Sequence, residues 1–102
     1  MEIKHKLNNL TLQITMVGEL DEASATKARF DIDSLIENNR IAEVIFDFSE
    51  VEFMDSTGIG ILLGRYKKLL RKNVEMFIVN TRPQVDKVFK MSGIYEIIKK
   101  LA

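Results

Sequence analysis

The chain predicts an α/β fold, a mixed four-stranded sheet made of an opening hairpin plus crossover strands and packed with about four helices, in one domain over residues 1–102. Three observations predict it. Leu10, Leu12, Ile14 and Met16 alternate with Thr11, Gln13, Thr15 and Val17, the period-two pattern of a half-buried strand. Val44-Ile45-Phe46-Asp47-Phe48 and Glu75-Met76-Phe77-Ile78-Val79 are short and nearly unbroken in apolarity, as strands covered on both faces are. Between them Ile59, Leu62, Leu63, Tyr66, Leu69 and Leu70 recur at the spacing of one helical face. Strands that alternate with helices need crossover connections, and right-handed crossovers leave few ways to stack the sheet.

Each element has a local cause. Asn8-Asn9 marks a tight turn between a first strand over residues 3–7 and the alternating strand, so a hairpin opens the chain. Gly18-Glu19-Leu20-Asp21 then leads into a helix whose face is Ala25, Ala28, Ile32, Leu35 and Ile36, with Asp21 as its N-cap and Asn38-Asn39 as its end. After the second helix Asn73 serves as C-cap. Pro83 fits the first turn of a third helix with Val85, Val88 and Phe89 on its apolar face and Gly93 as its stop. Ile94, Ile97, Ile98 and Leu101 have the spacing of a short terminal helix, although residues 94–98 also fit a strand.

Composition narrows the chemistry. Hydrophobic residues at 46% and charged residues at 29% suit a globular domain rather than a disordered or fibrous chain. Fifteen basic and fifteen acidic residues cancel, so the bulk positive field of a general nucleic-acid binder is missing. No apolar run reaches the roughly 18 residues of a membrane span, and the N-terminus lacks a signal-peptide pattern, which points to the cytosol. Cysteine is absent and His5 is the single histidine, in a mixed-charge strand. Disulfides, thiolate catalysis, sulfur-ligated metals and a Ser-His-Asp triad near Ser56 are thereby disfavoured, and no cofactor is expected.

The segment with the most chemistry is Phe53-Met54-Asp55-Ser56-Thr57-Gly58-Ile59-Gly60. The chain turns there from strand to helix, so a carboxylate or hydroxyl among Asp55, Ser56 and Thr57 can cap the first free N–H groups. The same position also suits a switch. A phosphoserine at Ser56 would add about −1.5 to −2 charge at the positive end of a helix, and Gly58 and Gly60 would keep the first turn thin enough for another protein to approach. Residue chemistry alone leaves cap and switch both open.

Other motifs fall short. Gly58-Ile59-Gly60 lacks the third glycine of a dinucleotide loop, since Leu63 stands there, and Gly60 to Gly64 followed by Arg65 lacks the Gly-Lys-Ser/Thr ending of a P-loop. Asp47 or Asp55 is a rival for receiver-type aspartyl phosphorylation, without the acid cluster such a site needs after its first strand. Arg65 to Lys72 has the alternation of a solvated basic face near a helix C-terminus, the five methionines are assigned to core filling, and Glu50 and Glu52 fall in a loop without an acid–base partner.

Gly18-Glu19-Leu20-Asp21, the Ser56 segment and Phe89-Lys90-Met91-Ser92-Gly93-Ile94 together resemble the bacterial anti-sigma factor antagonists, whose STAS domain has a similar element order along nearly the whole chain. Leu63-Gly64-Arg65-Tyr66-Lys67 is similar to the sporulation branch that antagonises the anti-sigma-F factor. The resemblance implies partner switching. The unphosphorylated protein would bind an anti-sigma factor that is also a serine kinase, phosphorylation on Ser56 would end the binding, and a PP2C-type phosphatase would reset it. Ser56 would then be the phosphoacceptor and Thr57 a lesser one. Asp21, Asp55, Thr57, Gly58 and Gly60 would share the partner-binding surface, with Asp21 near Ser56 if both turns lie at one sheet edge. The protein would be a substrate rather than an enzyme, with no nucleic-acid or membrane partner. The resemblance also implies a fuller last helix than the residues up to Ala102 provide. A relay subunit of a stress pathway and a nucleotide- or small-ligand-binding STAS domain are the alternatives.

Overall fold

Asn9 adopts a left-handed backbone (φ 57°) and reverses the chain between β1 (Glu2–Asn8) and β2 (Thr11–Leu20), which pair antiparallel. The computed structural model describes Met1–Ala102. It continues with α1 (Glu22–Glu37), β3 (Glu43–Asp47), β4 (Val51–Met54), α2 (Ser56–Arg71), β5 (Glu75–Val79), α3 (Pro83–Ser92), a 3-10 turn (Ile94–Glu96) and β6 (Lys99–Lys100). The sheet order is β1-β2-β3-β5-β6, parallel after the hairpin, with β4 off this path.

The ten residues of β2 serve two parallel neighbours. Thr11–Thr15 pair with β3 and Gly18–Leu20 with β4, the register shifting between Gly18 and Glu19. Gly18 makes the handover, because its φ of 114° is a conformation that a side chain would strain, and its N–H donates to Glu50 O at 2.9 Å. Leu12, Ile14, Met16 and Leu20 are buried from one side of β2, while Thr11, Gln13 and Thr15 stay half-exposed on the other. The core joins these to Ala25, Ala28, Ile32 and Ile36 of α1 and to Ile61, Leu62 and Leu69 of α2.

The expected four strands and about four helices are corrected to six strands and three α-helices. The segment assigned to a loop around Glu52 is β4, whose four residues complete a single inward pair, Val51 and Met54, too few to register as a pattern. The terminal helix does not form either. Gly93 takes a left-handed conformation (φ 76°), a 3-10 turn buries Ile94, and Ile98 is buried, while Ile97 and Leu101 are left exposed. The free edge of β5 wins the competition for this segment. Leu101 N–H donates to Ile78 O at 2.9 Å and Asn80 N–H to Ala102 O at 2.8 Å, bonds that a short isolated helix could not replace. Asn73 is displaced by one position from its expected role, since Lys72 is the C-cap and Asn73 follows it at φ 59°.

The basic run of α2 is not uniformly solvated. Arg65 is buried, its Nε 2.9 Å from Asp33 Oδ1 in a charge contact too oblique to be a hydrogen bond, and its Nη1 has no partner. Burial lowers the Arg65 pKa from its ordinary value against the opposing pull of Asp33. Lys68 Nζ reaches Asp33 Oδ2 at 3.0 Å, so this carboxylate clamps α1 to α2.

A second polar hub holds α3. Phe89 is fully buried, edge-on to Phe48 (ring centroids 5.0 Å apart) and stacked on Tyr95 (5.3 Å). Asp86 accepts hydrogen bonds from the Tyr95 hydroxyl, from Thr81 Oγ1 at 2.9 Å and from Lys100 Nζ at 3.1 Å, and pairs with Lys90 Nζ at 3.1 Å. These donors, the Tyr95 hydroxyl foremost, hold the Asp86 carboxyl well below the usual carboxylate range, while burial and then Asp86 push the Tyr95 phenol up. A group whose folded pKa lies below its unfolded value stabilises fully above the unfolded pKa, about 3.9, and progressively less as pH falls. Asp86→Asn is therefore expected to cost about 2 kcal/mol at pH 7, with the gap to the parent protein narrowing as pH drops below about 4. Urea unfolding at pH 7 and pH 3 checks this, and a gap that stays constant would refute it.

Candidate functional site

Leu20 of β2 and Met54 of β4 are register partners, so the next residues, Asp21 and Asp55, leave the sheet side by side at one edge. Both begin helices. Asp21 Oδ1 accepts from Ser24 N–H at 3.1 Å while Ser24 Oγ accepts from Asp21 N–H at 3.1 Å, a reciprocal capping box. Asp55 Oδ1 accepts from Thr57 N–H at 2.9 Å, and the Asp55 carbonyl accepts from Gly58 N–H at 3.0 Å. The cap of α2 is thus the Asp55 carboxylate rather than a hydroxyl. Ser56, the first residue of the helix, is exposed and its hydroxyl is outside the capping bond, while Thr57 is half-buried.

The two glycines of the segment differ in environment. A Cβ on Gly58 would lie 2.3 Å from Met54 Cγ, 2.7 Å from its Sδ and 3.1 Å from Leu20 Cδ2, so Gly58 lets α2 sit directly on the ends of β2 and β4. Gly60 is exposed, and nothing lies within 4 Å of where its Cβ would be.

Beside Ser56 runs an open groove of about 500 Å³ between the β4–α2 junction and α3. Phe53, Ile59, Val88 and Met91 give it apolar walls, and Ser56 and Asp55 are on its rim. Phe53 is 48% exposed and Met91 80% exposed. Asp21 stands on the adjacent strand end but lines a separate polar hollow with Glu19, Ser24 and Lys27. Met16, Met54 and Met76 fill the core as expected, whereas Met91 does not. The signal for Met91 was present in the helical spacing, since it falls two residues beyond Phe89 and off the face that Val85 and Phe89 define.

Glu19, Asp21, Glu22, Glu52 and Asp55 belong to the strand ends and helix starts around the site, while Lys67, Lys68, Arg71 and Lys72 lie on the later part of α2, about 16 to 24 Å from Ser56 along the helix axis. Cations stand at this end too, with Lys27 in the Asp21 hollow and Lys90 paired with Asp86 on α3, so the carboxylates form a local cluster beside Ser56. Asp47, the rival for aspartyl phosphorylation, is buried and occupied, accepting from Ser49 N–H at 2.9 Å, Gln13 Nε2 at 3.3 Å and Asn80 Nδ2 at 3.4 Å. No group of three or more His, Cys, Asp or Glu side chains converges as a metal site, and no helix is long and apolar enough to cross a membrane.

Residues 2–102 match the family model described as STAS domain. An anti-sigma F factor antagonist of Paenibacillus polymyxa is 31% identical over 98 residues, which span 96% of this chain and 82% of that protein. Among solved structures, the anti-sigma factor antagonist SpoIIAA in its unphosphorylated form superposes with a TM-score of 0.82 at 28% identity, covering 99% of this chain and 89% of that one. SpoIIAA, a Bacillus cell fate determinant, superposes in its phosphorylated form with a TM-score of 0.73 at 27% identity over 99% of this chain and 92% of that one.

Proposed function

Because the chain belongs to the STAS domain family, we propose that it is an anti-sigma factor antagonist of the sporulation type, switched by phosphorylation of Ser56. Unphosphorylated, it binds an anti-sigma factor that is also a serine kinase and so frees a sigma factor in the cytosol. The observation that carries the proposal is the exposed Ser56 hydroxyl, free of capping duty beside the Asp55 carboxylate and on the rim of an apolar groove.

The chain contributes the acceptor and the kinase the catalysis. Ser56 Oγ attacks the γ-phosphorus of ATP, the O–P bond forms as the bond to the ADP leaving oxygen breaks, and the hydroxyl proton passes to a base of the kinase. The helix end gives the product only partial shelter. Thr57 N–H and Gly58 N–H already have acceptors on Asp55, so the new charge faces outward, toward the partner, with the Asp55 carboxylate next to it. No refolding of the antagonist is needed. Hydrolysis of the phosphoserine by a PP2C-type phosphatase restores the binding form.

Mass spectrometry after incubation with anti-sigma F factor and ATP tests the proposal. The expected result is one addition of about 80 Da, located at Ser56 and absent from Ser56→Ala. Modification elsewhere, or noncovalent nucleotide retention without modification, would overturn it.

A further inference from the structure

We infer that the groove between β4 and α3 seats an apolar side chain of the anti-sigma factor, and that the carboxylates around it face a basic rim on that partner. The inference rests on the function proposed for Ser56 and adds how the partner is gripped. Continuity carries the first part. Ser56 is itself on the groove's rim, so a kinase that covers the hydroxyl also covers Phe53 and Met91. Those two side chains are 48% and 80% exposed although large and apolar, and they stand on opposite walls.

The walls are fixed in advance. Gln84 Nε2 donates to Glu52 O at 3.1 Å and Arg82 Nε to Ser49 O at 2.8 Å, tying the start of α3 to β4 and the loop before it. Phe89, packed between Phe48 and Tyr95, locks the same helix from beneath. A groove held open in this way binds without first paying to order itself.

Charge selects the occupant. Asp55 lines the groove and Glu52 precedes its wall residue Phe53, with Glu19, Asp21 and Glu22 on the neighbouring strand end and helix start. A second copy of the chain would bring these carboxylates against their own images, and an anionic lipid surface would be repelled. A partner with basic residues around an apolar anchor has neither difficulty. The same geometry makes phosphorylation effective, because the added charge stands at the mouth of an apolar seat that must be dried for binding.

Titration calorimetry with purified anti-sigma F factor tests the inference. Phe53→Ser and Met91→Ser are each expected to weaken binding about tenfold or more, which is about 1.4 kcal/mol, with unchanged melting temperature because both side chains are exposed. Leu70→Ser, 60% exposed but on the later part of α2, is the control and is expected to leave affinity unchanged. Affinity is also expected to fall as salt rises. If Ser56→Glu weakens binding while Phe53→Ser and Met91→Ser do not, the groove is overturned and the Ser56 switch stands. If none of the three weakens it, both fail. Salt-independent affinity would overturn the basic rim. A dimer of the free protein that Met91→Ser dissociates would reassign the groove to a second copy.

Discussion

Ser56→Glu is expected to weaken binding to anti-sigma F factor about a hundredfold, while Ser56→Ala binds as tightly as the unmodified protein and resists being switched off. The magnitude follows from where the charge is placed. A unit negative charge about 5 Å from a carboxylate such as Asp55, at an effective dielectric near 20, is repelled by about 3 kcal/mol before screening. About 2.7 kcal/mol is already a factor of one hundred in affinity. Part of that repulsion exists in the free protein, but covering the groove removes the water that screens it, so the difference appears on binding. Glutamate carries one charge where phosphoserine carries about two, so the substitution sets a lower bound on the effect of phosphorylation. The measurement is titration calorimetry at low and moderate salt. Equal affinities for the glutamate and alanine variants, with phosphorylation also without effect, would end the switch hypothesis.

Gly58→Ala and Gly60→Ala are expected to change stability in opposite directions, although they make the same change two residues apart in one helix. At Gly58 the new methyl would stand 2.3 Å from Met54 Cγ, in a side chain that is itself buried, and overpacking of this kind costs about 2 kcal/mol. At Gly60 the methyl enters open space, and replacing glycine by alanine in a helix stabilises it by about 0.5–1 kcal/mol. Urea unfolding measures both. Coupling between Gly58→Ala and Met54→Ala isolates the contact, because shortening Met54 removes the atoms that the new methyl strikes. Absence of coupling, or a gain at both glycines, would refute the packing account. Partner binding should fall with Gly58→Ala as well, since a displaced α2 start carries Asp55 and Ser56 with it.

What was legible in the sequence was what is local. Asp21 caps α1 because a carboxylate precedes a run of helical periodicity, a cap among Asp55, Ser56 and Thr57 was legible for the same reason though not which of them, and Gly93 stops α3 because glycine tolerates a left-handed backbone. The resemblance in the Ser56 segment supplied the function, which residue chemistry alone left undecided. What was hidden depends on residues far apart in the chain. β4 is four residues long and earns its place only by pairing with β2. Arg65 looked like part of a solvated stripe because its counterion, Asp33, comes from another helix. The C-terminal segment has helical spacing but lies beside an unpaired edge of β5, and backbone bonds to that edge prevailed. Gly58 was expected to make room for a partner, yet its missing side chain is filled by Met54 of the same chain.

The groove next to Ser56 is assembled from β4, the start of α2 and α3, which meet only in the finished domain. A kinase that gripped it, as proposed, would recognise a conformation rather than a string of residues. Unfolded or half-made copies would still contain the serine, but they would offer no seat and would draw no phosphate. Under the proposed function, each binding and modification event would report on a completed molecule, and defective copies would stay invisible instead of competing.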